Sequence, residues 1–589
     1  MNRGLPIILA FLVLFATPGL AAMDAMKVSS MRAEVSQDVT ISIQGNVNSL
    51  EVRLMVPQND DFQKVESITA SAPYAEMTDP YGNKMLKFTV SNPNATAKIS
   101  VKSTVSITRR NTASLPNLQA FSQPNNLIES GDRDITDLAT TATEGETDSF
   151  EKSAATASWV NQNIRYDSAY GNVNLSAKTT LMQKAGVCDE FSALTMAMLR
   201  SIGYRSAYIV GYAYGRGYRI AEDFVPHGWV EACGPDGKCY PIDSTWGEAG
   251  WLDATHVKFA TLPETYYVEA TASARGQGQI AVKLEAVDTK IKILSSKEEP
   301  LIKTSAALLD DRVWDGYAVL RTDFVADGCV MTKVAYAGCT REDGTPFLAP
   351  DKNETVLYFC GKKTVFMPFR IPGGTMEGVS YGCPLAVIAA GGERGDAEVT
   401  IDSAEKGAEK VALSVDRTAV KPGETVQASA TGAYLFTDKG HYGTDELAVA
   451  APAKDFIIYA YKNGHLALQT VSVAESRPIE LKIAVPESVK LGEQFNVTVD
   501  VRNIDTRGRT VTVRLGGESK SGMLAAGSGV TYTFTVTPAE GDKSVQVFAE
   551  SDGFSTSTSD ALNIIMPEKN IIEKIIDAIR GFLMGIFGV

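Results

Sequence analysis

The chain has 589 residues, a net charge of −14, seven cysteines and four histidines. An acidic chain with no basic stripe is excluded from the nucleic-acid-binding class, because that class needs clustered Lys and Arg against phosphate. At roughly 150 residues per domain, the length calls for about four domains rather than one.

Residues 1–22 read as a secretory signal peptide. Arg3 gives the positive end, Ile7 to Ala16 the short apolar stretch, and Pro18 to Ala22 a small-residue exit. The expected location is therefore secreted or extracellular. Four Asn-x-Ser/Thr tripeptides, at Asn94, Asn174, Asn353 and Asn496, suit a glycosylating export route.

Residues 23–112 alternate apolar and polar in short runs (VTISIQG, LEVRLMV, KMLKFTV, AKISVKSTVSI), the pattern of a small β-sandwich. A short helix is expected at DITDLATTA. Asp148 with Glu151 forms a capping-box signature that opens a helix running to about Ile164. A further helix is expected over 180–203, where Phe191, Leu194, Met198 and Leu199 keep helical spacing and Gly203 marks the stop. Three strands follow, SAYIVGYAY, HGWVEAC and CYPIDSTW, so the region 115–280 is predicted to be an α+β domain.

Beyond it the chain returns to β character. Segments 285–405, 410–475 and 476–566 read as sandwich modules of Ig-like type, suited to spacing or adhesion. The tail 570–589 places Glu573, Lys574, Asp577 and Arg580 on one stripe of an otherwise apolar helix. Such a helix is expected to lie on a membrane surface or hold the chain to the cell envelope.

An odd cysteine count leaves at least one sulfur without an intrachain partner. Cys233 and Cys239 bracket GPDGK, a turn signal between two strands, and are expected to pair. Cys329, Cys339, Cys360 and Cys383 fall in one segment and can form two bridges in any of three pairings. Cys188 is left over, at the start of a helical pattern.

A thiol attacks only as thiolate. A helix N-terminus favours that charge, but Asp189 and Glu190 follow immediately and oppose it, so a histidine has to supply the ion pair. His227 opens the strand HGWVE, and Asp243 lies on the adjoining strand PIDST, where the two can meet across the hairpin. Metal binding is not expected: Cys233, Cys239 and His227 offer one C-x5-C pair with no second, and no calcium-loop pattern is present. No cofactor is expected either.

GVCDEFSALTMAMLRSIGYRSAYIVGY and HGWVEACGPDGKCYPIDSTW together resemble the transglutaminase-like superfamily of papain-type thiol enzymes, over about residues 115–280 and in the order Cys, His, Asp. The resemblance, which runs to the microbial branch, implies Cys188 as nucleophile, His227 as general base and acid, and Asp243 as the residue that orients the imidazole. It also implies a protein or peptide amide as substrate and a thioester intermediate, with hydrolysis favoured over amine transfer. The alternatives are a cross-linking acyltransferase and an inert surface scaffold. Gln183 is a candidate oxyanion donor, and Trp229 and Tyr212 are candidates to line the acyl groove. His256 matches no catalytic position of the resemblance and is expected to be structural.

Overall fold

In the computed structural model the described residues are 24–565, apart from 172, 216–222, 311, 314–315, 342–344, 351, 372–378, 403–410, 474–478, 487, 504–507, 539–543, 552–553 and 562–563. The expected signal peptide and C-terminal helix lie outside them. The chain divides into two compact units, one up to Val473 and one from Ala474 onward.

The first unit opens with β1 (Val28–Met55), β2 (Gln63–Ala70), β3 (Tyr74–Thr78), β4 (Lys84–Ser91) and β5 (Thr96–Thr108). Next come α1 (Arg133–Ala142), α2 (Ser149–Asn163), β6 (Arg165–Tyr166), α3 (Ala177–Gln183), β7 (Ala185–Gly186) and α4 (Cys188–Ser201). Then follow β8 (Arg205–Tyr214), β9 (Phe224–Cys233), β10 (Cys239–Asp243), β11 (Glu248–Ala249), β12 (Val257–Leu262) and β13 (Ala270–Glu298).

The helix starts follow from their caps. Asp132 Oδ1 accepts from the N–H groups of Asp134 and Ile135 at the head of α1. At α2, Asp148 Oδ1 accepts from Glu151 N–H at 2.8 Å and Glu151 returns the contact to Asp148 N–H, closing the box the sequence announces. One expectation fails. The single helix over 180–203 is two, because Lys184 takes a left-handed conformation (φ 53°) and β7 intervenes. The break places Cys188 at the first residue of α4.

Helix α4 is buried on nearly all sides. Leu194, Met198 and Leu199 pack with Phe150 and Val160 of α2, Tyr208 and Val210 of β8, and Val230 of β9. Ala193, Met196 and Ala197, off the main apolar stripe, are equally enclosed, as expected for a helix at the centre of a domain. Its sheet runs β12-β8-β9-β10-β11 and continues through Ala249↔Met331 into the strand Tyr317–Ala337. The α+β core and the cysteine-containing β segment thus share one hydrogen-bonded sheet.

The boundary expected near residues 280–285 falls inside β13. That strand pairs with β1 along most of its length, from Leu54↔Ala270 to Val28↔Glu298. Residues 23–112 therefore do not close by themselves; their sheet, β2-β5-β1-β4-β3, takes its sixth strand from beyond the α+β domain. Short-range alternation identifies such a strand but carries no information about its partner.

Residues 419–473 form a further β layer around Val426, Leu435, Phe456 and Ile458. In the second unit, a three-stranded sheet (Ile479–Ala484, Phe495–Asn503, Gly529–Val536) and a four-stranded sheet that includes Arg509–Leu515 and Ser544–Ser551 enclose one core of Val497, Val499, Val511, Val513, Phe534 and Val547. Two sheets on one core make a sandwich.

Candidate active site

Cys188 starts α4 because Glu190 supplies the cap that Val187 cannot. Glu190 Oε2 accepts from Val187 N–H at 2.8 Å, and its Oε1 accepts from Leu175 N–H at 2.9 Å. One buried carboxylate thus ties the preceding loop to the helix start. Burial raises the Glu190 carboxyl, against the pull of those N–H donors.

The sulfur of Cys188 is free of disulfides and the residue is half-buried. Six other cysteines pair as Cys233–Cys239, Cys329–Cys360 and Cys339–Cys383, which settles the pairing left open by the sequence. Three bridges fit an oxidising compartment. The Cys188 thiol donates to Asp189 Oδ1 at 3.5 Å. Its pKa is driven well up, first by burial and then by the Asp189 charge, with the Gly228 N–H pulling the other way. Position at a helix N-terminus does not by itself activate this thiol.

The Gly228 N–H, whose pull favours the thiolate, is one residue from His227 on β9, the strand that packs against α4. Gly228 is required there. A Cβ would overlap the Tyr208 hydroxyl and ring edge, which fill that space, and the hydroxyl donates to Asp189 Oδ1 at 2.6 Å. Tyr208, fully enclosed, was not singled out by sequence reasoning. A tyrosine in the middle of a strand this apolar is the available signal, since its hydroxyl must find a partner.

His227 Nε2 lies 2.8 Å from Asp243 Oδ2. The β9–β10 register explains the meeting. Cys233 pairs with Cys239 and Val230 with Ile242, so one more step sets Asp243 opposite Trp229, with His227 two residues along on the same face. Asp243 Oδ1 accepts from Thr245 N–H at 2.9 Å and Trp246 N–H at 3.2 Å. Burial would raise this carboxyl, but His227 and His256 hold it below the usual carboxylate range. An ionised Asp243 accepts the Nε2 proton and leaves Nδ1 of a neutral His227 as the basic nitrogen. Trp246 stacks on the His227 ring with centroids 4.1 Å apart and planes 13° apart, restricting its rotation.

The remaining candidates separate. Trp229 is fully buried, 6.2 Å from the His227 ring centroid, and belongs to the core rather than to an open groove. Tyr212 packs on Phe259 and donates to Glu269 Oε2 at 3.1 Å, in the layer between β8 and the N-terminal sheet. Gln183 ends α3 with its side chain exposed. His256, expected to be merely structural, sits beside Asp243, its Nε2 3.5 Å from Oδ2. Donor atoms of His227, Asp243 and His256 lie within 4.8 Å of one another, as do those of Glu248, Asp253 and His256, so three carboxylates and two imidazoles share one buried cluster.

The profile of the transglutaminase-like superfamily core matches residues 136–244, a span that contains Cys188, His227 and Asp243. An uncharacterized protein of Mycobacterium leprae (strain TN) is 31% identical over 81 residues, 13% of this chain and 29% of that protein's length. A crystal structure from Cytophaga hutchinsonii, described as a candidate cysteine protease, overlaps 46% of this chain and 93% of its own at 20% identity and a TM-score of 0.34. A Salmonella alpha-2-macroglobulin reacted with methylamine overlaps 62% of this chain and 28% of its own at 11% identity and a TM-score of 0.18. Likenesses that loose carry no inference about activity. The matched span encloses the helix that begins at the free cysteine and the hairpin that pairs His227 with Asp243, so residues 136–244 match the core of the transglutaminase-like superfamily over the whole candidate site.

Proposed function

We propose that this chain is an exported thiol enzyme that attacks amide carbons of proteins or peptides, with hydrolysis favoured over amine transfer. The observation that carries the reading is the one cysteine outside the three disulfides, set at the start of α4, which packs against the strand that carries His227, while His227 Nε2 is held 2.8 Å from Asp243.

In this mechanism the Cys188 proton passes to His227 Nδ1, and the thiolate attacks the amide carbon. The tetrahedral adduct collapses as His227 returns the proton to the departing nitrogen, leaving a thioester. Water, deprotonated by His227, then releases the acid and the thiol. Asp243 stays ionised throughout and stabilises the imidazolium. The Cys188 backbone N–H at the helix start is suited to the oxyanion.

One observation favours a second reading, an inert domain: the thiol rests on the Asp189 carboxylate, which opposes its ionisation. The test offers the purified chain a casein-like acceptor and a dansylated amine, with Cys188→Ala as control. Fragments that depend on Cys188 support hydrolysis, and dansyl incorporation replaces it with transfer. Absence of both products, together with no selective alkylation of Cys188 in the non-reduced protein, overturns the enzymatic reading.

A further inference from the structure

Asp243 serves two imidazoles. Its Oδ2 lies 2.8 Å from His227 Nε2 and 3.5 Å from His256 Nε2, while Oδ1 is taken by the backbone of Thr245 and Trp246. The other nitrogen of His256, Nδ1, lies 3.3 Å from the Asp253 carbonyl oxygen and 3.6 Å from Asp253 Oδ2. A neutral imidazole has one N–H and one lone pair, so with oxygen acceptors at both nitrogens one contact would set lone pair against lone pair. A ring that carries both protons donates at both nitrogens.

A buried cation needs compensating charge, and it is present. His256 is fully enclosed. The titratable groups that face it are Asp243 from β10, Glu248 from β11, Asp253 from its own loop and His227 from β9. Trp229 and Trp246 meet it edge-on, with centroids at 5.1 and 5.4 Å.

We propose that His256 is a positioning residue of the thiol site: a buried imidazolium that shares Asp243 with His227, fixes that carboxylate and makes protonated His227 a stronger acid toward the departing amine. The inference rests on the thiol-enzyme reading above. The two histidine rings are 5.9 Å apart. A positive charge at that distance favours every proton loss from the Cys188–His227 pair, by about one pH unit in a partly polar interior.

The experiment follows alkylation of Cys188 by iodoacetamide against pH in the full-length chain, native and His256→Gln. Gln keeps a hydrogen-bond donor toward Asp243 but no charge. Both inflections of the profile are expected to move up by about one pH unit, with the rate at high pH unchanged. A folded His256→Gln protein, judged by circular dichroism, whose profile superimposes on the native one overturns the proposal.

Should that variant not fold, nitrogen NMR of labelled histidine in the native chain decides. Both His256 ring nitrogens are expected in the protonated range between about pH 5.5 and 7.5; a neutral ring overturns the inference. Failure of the parent reading looks different. A native Cys188 that titrates as an ordinary thiol near about 8.5, unaffected by His227→Ala, removes the enzyme, while the NMR still reads the charge of His256.

Discussion

His227 and Asp243 stand 16 residues apart in the chain, yet Nε2 and Oδ2 are 2.8 Å apart, because the Cys233–Cys239 bridge closes the hairpin that carries both. The disulfide lies at the turn end of β9 and β10, and the imidazole–carboxylate pair at the other. A covalent clamp at one end of a short ladder thereby limits register slip at the other.

Removing that clamp is expected to loosen the site as well as the fold. Cys233→Ser with Cys239→Ser closes no loop, and for so short a loop the loss is about 2 kcal/mol of stability. Thermal melting should show the loss. The alkylation rate of Cys188 at pH 6 should fall alongside it, and a lower melting point with an unchanged rate would separate the clamp from the site.

Asp243 has a carboxyl held below its ordinary range. A group whose folded pKa is depressed contributes stability above its unfolded pKa of about 3.9, and that contribution disappears as pH falls through the folded value. Asp243→Asn is therefore expected to lower stability at pH 7 and to flatten its decline below about pH 4. The same variant should reduce Cys188 alkylation at pH 6 by about tenfold, the worth of about 1.4 kcal/mol of lost imidazolium stabilisation. Urea denaturation at pH 3 and pH 7 measures the first effect.

Asp189 acts in the opposite direction. Its charge raises the pKa of the neighbouring thiol, so Asp189→Asn is expected to increase the rate of alkylation at pH 7 several-fold. Tyr208 then donates to a neutral acceptor in place of a charged one, and stability should fall by about 1 kcal/mol. A slower reaction in this variant would mean that the carboxylate accepts the thiol proton during activation instead of opposing it.

Gly228→Ala tests how tightly the sulfur, β9 and Tyr208 are packed. The new methyl overlaps the Tyr208 hydroxyl and ring edge, and overpacking of this kind costs about 1–3 kcal/mol. Because the ring must move, the Tyr208–Asp189 hydrogen bond and the pull of the Gly228 N–H on the thiol should both weaken. A melting curve and an alkylation profile both unchanged from native would show that the backbone yields instead.

The catalytic candidates Cys188, His227 and Asp243, the Asp148–Glu151 cap and the Cys233–Cys239 bridge were legible in the chain alone. Each rests on local signals: a turn between two strands, a cap at fixed spacing, a cysteine left out of an odd count. Their physics acts over a few residues. The tertiary structure decided what no local pattern encodes. It returned β13 to the N-terminal sheet, chose Cys329–Cys360 and Cys339–Cys383 among three pairings, and set Tyr208 against Asp189 and Trp246 on the His227 ring. It also brought His256 to Asp243, where sequence spacing had left it without a role. Long-range strand pairing and the filling of a buried volume depend on all the elements at once, so one strand's alternation or one aromatic residue's position cannot announce its partner.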